Sequence, residues 1–326
     1  VFADKLNIVL ILLAALVACI FPIETFLFSY AVLGPLHYIT ELNWLDEKKY
    51  FTNNKKSIWF FISIAAFLTS ITLLVEYSSE YWLFIRTDFL FPIFIFGALL
   101  FSIISGTKSS SKRVNIFLIA ALLFAIAHHF NWSYILLAVL LPTIIHVYFF
   151  TGNFLLLGAI KSRDIWNAIS FSTFLIVSIT VLLVPINFSF SQNGSEQLLS
   201  SIHFKYLIEW LSGESFQGDV SQHQQTIQVL RFLAFAYSYH YLNWFSKTKV
   251  IGWLKVSKPK LALAFSVWAL SVSCYYYDYK TGFFLLFFLS ILHVLAEFPL
   301  NYITLKNTIV ALRNFKVQND DTEQTR

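Results

Sequence analysis

The chain has 326 residues, of which 57% are hydrophobic and 13% charged, with a mean hydropathy of +0.66. Soluble domains carry about 25% charged residues, so the composition excludes an ordinary soluble domain and points to a polytopic membrane protein. The net charge of +5 is then no sign of nucleic-acid binding, and the two cysteines, Cys19 and Cys274, lie in apolar segments as small hydrophobes rather than as a disulfide or a metal knuckle.

Apolar stretches long enough to span a bilayer, about 17–25 residues each, fall at 6–21, 23–41, 57–75, 89–105, 114–130, 133–151, 166–187, 226–246, 261–277 and 282–304. They predict an all-α, polytopic integral-membrane helical bundle of about ten transmembrane helices, forming one domain over 1–316. "LVAC" at Leu16–Cys19 looks like a lipoprotein cleavage box but reads as part of the first membrane helix. The boundary at Pro22–Glu24 is tight enough for either a turn or a kink. The one long connection, 188–225, contains Leu199, Ile202, Tyr206 and Trp210 at helical spacing, the pattern of an amphipathic helix over 196–211 lying in the membrane interface. Residues 317–326 are polar and aperiodic and read as a disordered cytoplasmic tail.

Cation placement orients the bundle. With both termini cytoplasmic, the inner side receives all but four of the 23 Lys and Arg residues; Arg86, Lys205, Arg231 and Lys280 fall outside. An excess of Lys and Arg in the cytoplasmic loops is the expected sign of orientation.

Once depth is assigned, the eight histidines separate into groups. His203 and His223 fall in the outer loop, and His128 and His129 at the outer end of the fifth predicted helix suit interfacial or structural roles. His37, His146, His240 and His293 share a depth in the cytoplasmic half. Glu41 and Glu297 each follow a histidine by four residues, which places them on the same helix face, and Tyr241 and Asn243 add polar atoms at that level. Ionisable groups inside a bilayer are costly and mark sites or pathways. Neutral imidazole ligates iron, zinc or copper and gives its second N–H to a carboxylate or carbonyl. This set therefore predicts a metal site ligated by His37, His146, His240 and His293, with Glu41 and Glu297 as orienting groups or further ligands and Tyr241 beside them. Fe(II) fits an imidazole-rich, thiol-poor set best, zinc less well. No nucleophile triad or nucleotide-binding glycine pattern is present.

The stretches "GPLHYITE" at 34–41 and "LHVLAE" at 292–297, with His146 and His240 in mid-chain, resemble the bacterial Brp/Blh family of β-carotene dioxygenases. That family is polytopic, holds Fe(II) with four histidines and shows Gly-Leu-Pro-His with an acid four residues later. Here Pro35 and Leu36 stand in reversed order, both acids are Glu instead of Asp, and the family's closely spaced histidine pair is missing from "YSYHYLNWF". The resemblance implies central cleavage of a carotenoid to retinal with dioxygen, in a bacterial inner membrane. The combined expectation is a membrane-embedded non-haem iron oxygenase acting on a long apolar substrate, carotenoid or lipid, that enters from the surrounding membrane lipids. Three alternatives stay open: a di-iron lipid desaturase or hydroxylase, although His-x-x-His-His boxes are missing; a proton-coupled transporter using the His and Glu residues as a relay; and a structural protein with unrelated core histidines.

Overall fold

The structure, a computed structural model, describes residues 2–49, 55–77, 81–186, 204–215, 223–247 and 257–324. Among them there is no strand. In chain order the helices are α1 (Phe2–Ile20), α2 (Pro22–Phe28), π1 (Ser29–Leu33), α3 (Gly34–Glu47), α4 (Lys55–Tyr77), α5 (Tyr81–Ser105), α6 (Ser110–His129), π2 (Tyr134–Phe150), α7 (Thr151–Ser162), α8 (Ile165–Leu183), α9 (Phe204–Ser212), α10 (Gln224–Ser246), α11 (Lys258–Tyr277) and α12 (Tyr279–Gln324). The π1 and π2 segments are π-helical.

Every predicted span lies on one or more of these helices. Among the described residues, five stretches are long and apolar enough to cross a membrane: Ser57–Val75, Ser110–His129, Tyr134–Ser162, Ile165–Leu183 and Tyr279–Phe315; Lys5–Ile20 and Phe89–Ser105 are apolar but shorter. α10 falls outside this group for a physical reason. Most of its residues, from Thr226 to Asn243, are buried within the protein, so it carries Gln228, Arg231, His240 and Asn243 where a lipid-facing helix could not. α6 is the opposite case, with no buried residue and with Leu118, Leu122 and Ile126 exposed; apolar side chains on such a face suit lipid.

Where the sequence suggests one domain over 1–316, packing divides the chain into two compact units: 1–40 with 147–283 and 310–326, and 41–146 with 284–309. In the first unit α10 packs against α1, α2, α8 and α9. Ala14, Ala18, Ala234 and Ala236 are buried there beside Phe26, Phe235 and Tyr239; small residues allow close helix approach. Chain direction changes at Phe21, and Pro22 follows in the first turn of α2, where its missing N–H costs nothing. In the second unit α4 packs on α5, and α5 on α6. Phe61, Leu68, Ile95 and Ala98 are buried in that unit, as are Val294, Leu295 and Phe298 of α12.

One expectation shifts. α12 runs on to Gln324 through residues read as a tail, because neither Gly nor Pro follows Pro299 to stop it. α9 buries Leu207 and Ile208 against the first unit and leaves Trp210, on the stripe read as interfacial, about half exposed. Leu199, Ile202 and His203 of that region lie outside the described residues.

Candidate metal centre

Helix irregularities written in the sequence surround the candidate ligands. Pro35 opens α3 directly after π1, two residues before His37. Pro142 lies inside π2, four residues before His146, and Pro299 lies inside α12, two residues after Glu297. Proline removes a backbone donor and π geometry widens the turn; such departures recur at functional sites. His37, Glu41, His146, His240, His293 and Glu297 are all buried, none more than 8% exposed. Buried groups of this kind need hydrogen bonds, counter-charges or a metal.

The first unit contributes His37 on α3 and His240 on α10. Their Nε2 atoms are 3.2 Å apart, with ring planes at 77°. The other nitrogen of His240, Nδ1, lies 2.9 Å from Thr151 Oγ1, which fixes the ring's orientation. Around His37 stand Tyr241, with ring centroids 4.9 Å apart, and Trp244, edge-on at 5.4 Å. Trp244 Nε1–H donates to Thr40 Oγ1 at 3.0 Å, and Thr40 in turn donates to Leu36 O at 2.7 Å. The hydroxyls of Tyr38 and Tyr241 are 3.0 Å apart. Gly34 makes room for that pair, since a Cβ there would lie 2.9 Å from Tyr38 Oη.

The second unit contributes Glu41, His146, His293 and Glu297, of which Glu41 and His293 belong to a buried His/Glu group that could hold a metal ion. The imidazoles of His146 and His293 meet edge-on, centroids 5.2 Å apart. Ligand atoms of Glu41 and His293 lie within 4.8 Å, and the carboxyls of Glu41 and Glu297 are within hydrogen-bonding reach. Two buried carboxyls that close need a proton or a cation between them, because like charges cannot both ionise there unopposed. His146 Nδ1 stands 3.2 Å from Glu297 Oε2, yet the contact is not aligned as a hydrogen bond. Two atoms each about 2.1 Å from one ion and 3.2 Å apart subtend about 100° at that ion, between an octahedral and a tetrahedral edge. The Nε2 pair of His37 and His240 has the same spacing. Imidazole and carboxylate groups with no thiolate beside them suit a divalent transition metal.

The structure thus brings the four expected histidines together in pairs, His37 with His240 and His146 with His293. Glu41 and Glu297 join the second pair, and Tyr241 lies beside the first. The other histidines play different parts. His128 closes α6, its Nδ1 3.3 Å from Ser133 Oγ and its ring stacked on Phe124; His129 is exposed beside Phe130. His223 occupies the N-cap of α10 without a side-chain capping bond. Arg231, read from sequence as a cation of the outer side, is 1% exposed and bonds Cys19 O at 3.2 Å and Ile186 O at 2.8 Å. It caps the carbonyl ends of α1 and of the segment after α8, and Gln228 adds bonds to Val181 O and Val184 O. Sequence reasoning missed Thr151, whose only signal is its place after π2. It also missed Asn301, whose signal was legible: His293, Glu297 and Asn301 recur every four residues and are all buried.

Comparison with protein-family models, curated proteins and solved structures returned no match for this chain.

Proposed function

We propose that this protein is a membrane-embedded non-haem iron oxygenase acting on a long apolar substrate, with His146 and His293 of the second unit among its iron ligands. The observation that carries this reading is in the second unit, where ligand atoms of Glu41 and His293 lie within 4.8 Å and His146 Nδ1 stands 3.2 Å from Glu297 Oε2. His37 and His240 form a second buried imidazole pair, their Nε2 atoms at hydrogen-bonding distance, 3.2 Å. Iron bound there would supply dioxygen activation. The chain's own residues do the rest. Thr151 orients His240, the Glu41 and Glu297 carboxyls hold a proton between them, and the Tyr38–Tyr241 hydroxyl pair keeps a polar edge beside His37. The apolar, aromatic-rich spans keep the site dry and admit substrate from lipid.

On this reading ten helices span a bacterial inner membrane with both termini cytoplasmic, supported by the cation asymmetry. Central cleavage of a carotenoid is the substrate reading, supported by "GPLHYITE" and "LHVLAE". A second reading, a di-iron lipid hydroxylase or desaturase, draws on one observation: facing carboxyls beside two histidines are what a pair of bridged irons uses. Metal analysis of the purified chain, joined to turnover assays with β-carotene and with acyl lipids, tests both. One iron per chain and retinal formation are expected; two irons and lipid oxidation select the second reading. Protein that takes up no transition metal after iron loading overturns both.

A further inference from the structure

Away from the histidines, the first unit holds a cleft of about 200 Å³ lined by Ile160, Lys161, Arg163, Ala311, Asn314 and Phe315. Its position is informative. Two of the five apolar stretches end there, Tyr134–Ser162 and Tyr279–Phe315, so their C-terminal ends meet at the depth where a bilayer's hydrocarbon gives way to headgroups. Charge agrees with that placement, since both ends carry cations that the orientation argument puts on the cytoplasmic side: Lys161 and Arg163 on one, Arg313 on the other. The lining is divided by chemistry. Ile160, Ala311 and Phe315 offer apolar surface, Asn314 an amide, and Lys161 and Arg163 two positive charges. Asp164, the adjacent acid, accepts a hydrogen bond from Trp166 N at the start of α8.

We propose that this cleft binds the phosphate-bearing headgroup of an anionic phospholipid, with the phosphate on Lys161 and Arg163 and the first acyl carbons on Ile160 and Phe315. Basic pockets between membrane helices on the cytoplasmic side recognise such headgroups, and cations near that surface each contribute severalfold to binding. Arg163 presents a planar fork that matches phosphate oxygens, whereas Lys161 acts as a point charge. The inference rests on the membrane reading of the two apolar spans and is independent of the metal site.

The test uses the full chain, delipidated in detergent and titrated with phosphatidylglycerol or with phosphatidylcholine of the same acyl length, bound lipid being counted by native mass spectrometry. Phosphatidylglycerol should bind more tightly than phosphatidylcholine. The double variant Lys161→Gln/Arg163→Gln should weaken phosphatidylglycerol binding about 30-fold, about 5-fold per charge, and leave phosphatidylcholine unchanged. Lys161→Arg/Arg163→Lys, which keeps both charges, should retain most of the binding. Lys258→Gln/Lys260→Gln removes the same charge at the start of α11 and should have little effect. Equal losses in the two Gln variants, equal binding of the two lipids, or no loss in either variant would each overturn the proposal. So would displacement of the lipid by millimolar inorganic phosphate, which would assign the cleft to a free anion. Iron content measured on the same samples should not change, which keeps failure of the lipid site distinct from failure of the iron reading.

Discussion

Replacing Glu297 by Gln separates a metal ligand from an ordinary buried hydrogen-bonding group. The amide keeps the shape and removes the anion that stands 3.2 Å from His146 Nδ1. If Glu297 only oriented His146, metal affinity would fall about 10–100-fold; as a direct ligand its loss should exceed about 100-fold. Bound metal stabilises the folded chain by mass action, about 4 kcal/mol at a metal concentration 1,000 times Kd and about 1.4 kcal/mol at ten times Kd. At one fixed iron concentration the wild-type chain should therefore gain about 2.7 kcal/mol more than Glu297→Gln. For a chain of this size that is roughly 4 °C in thermal midpoint. Metal-free protein provides the opposite sign. There the substitution removes one of two facing carboxyls, so Glu297→Gln should be no less stable than wild type. Elemental analysis gives occupancy, and thermal unfolding with and without iron gives the midpoints. Wild-type occupancy together with an undiminished iron-dependent shift in the variant would refute ligation by Glu297. A metal-free variant markedly less stable than wild type would show that the carboxylate is held by a structural hydrogen bond instead.

Arg231→Ala should destabilise the first unit by about 3–5 kcal/mol, because charge-assisted bonds contribute about 1.5–3 kcal/mol each and the carbonyls of Cys19 and Ile186 lose their donor; denaturant unfolding in detergent measures it, and a loss under about 1 kcal/mol contradicts the capping role. Gly34→Ala drives a Cβ to 2.9 Å from Tyr38 Oη and should cost about 1–3 kcal/mol. In a double-mutant cycle Tyr38→Phe should recover part of that loss, and strict additivity would show that the crowding lies elsewhere. Single cysteines placed at Lys56 and Lys255 should label from the cytoplasmic side and one at Ser195 from the other; labelling of all three from one side would refute the topology.

Helix content was written in the sequence because it depends on local chemistry. Long apolar runs form helices wherever water is excluded, since backbone groups must then pair within their own segment. A histidine in such a run stands out without reference to any neighbour. The spacing of His37 to Glu41 and of His293 to Glu297 fixed which groups share a helix face, and the recurrence of Asn301 four residues later belonged to the same pattern. What the sequence left open was partnership. His37 could be matched with any of three histidines until packing joined it to His240 and set His146 against His293. Thr151 and Trp244 acquired roles only from the rings beside them. Arg231 shows the reason most plainly: hydropathy scores a cation as exposed, yet packing buries it against the carbonyl ends of other segments, where its charge is offset. Periodicity reports which residues share a face of one helix. Which helix that face meets depends on contacts between residues more than 200 positions apart, such as His37 and His240, and only the folded chain decides them.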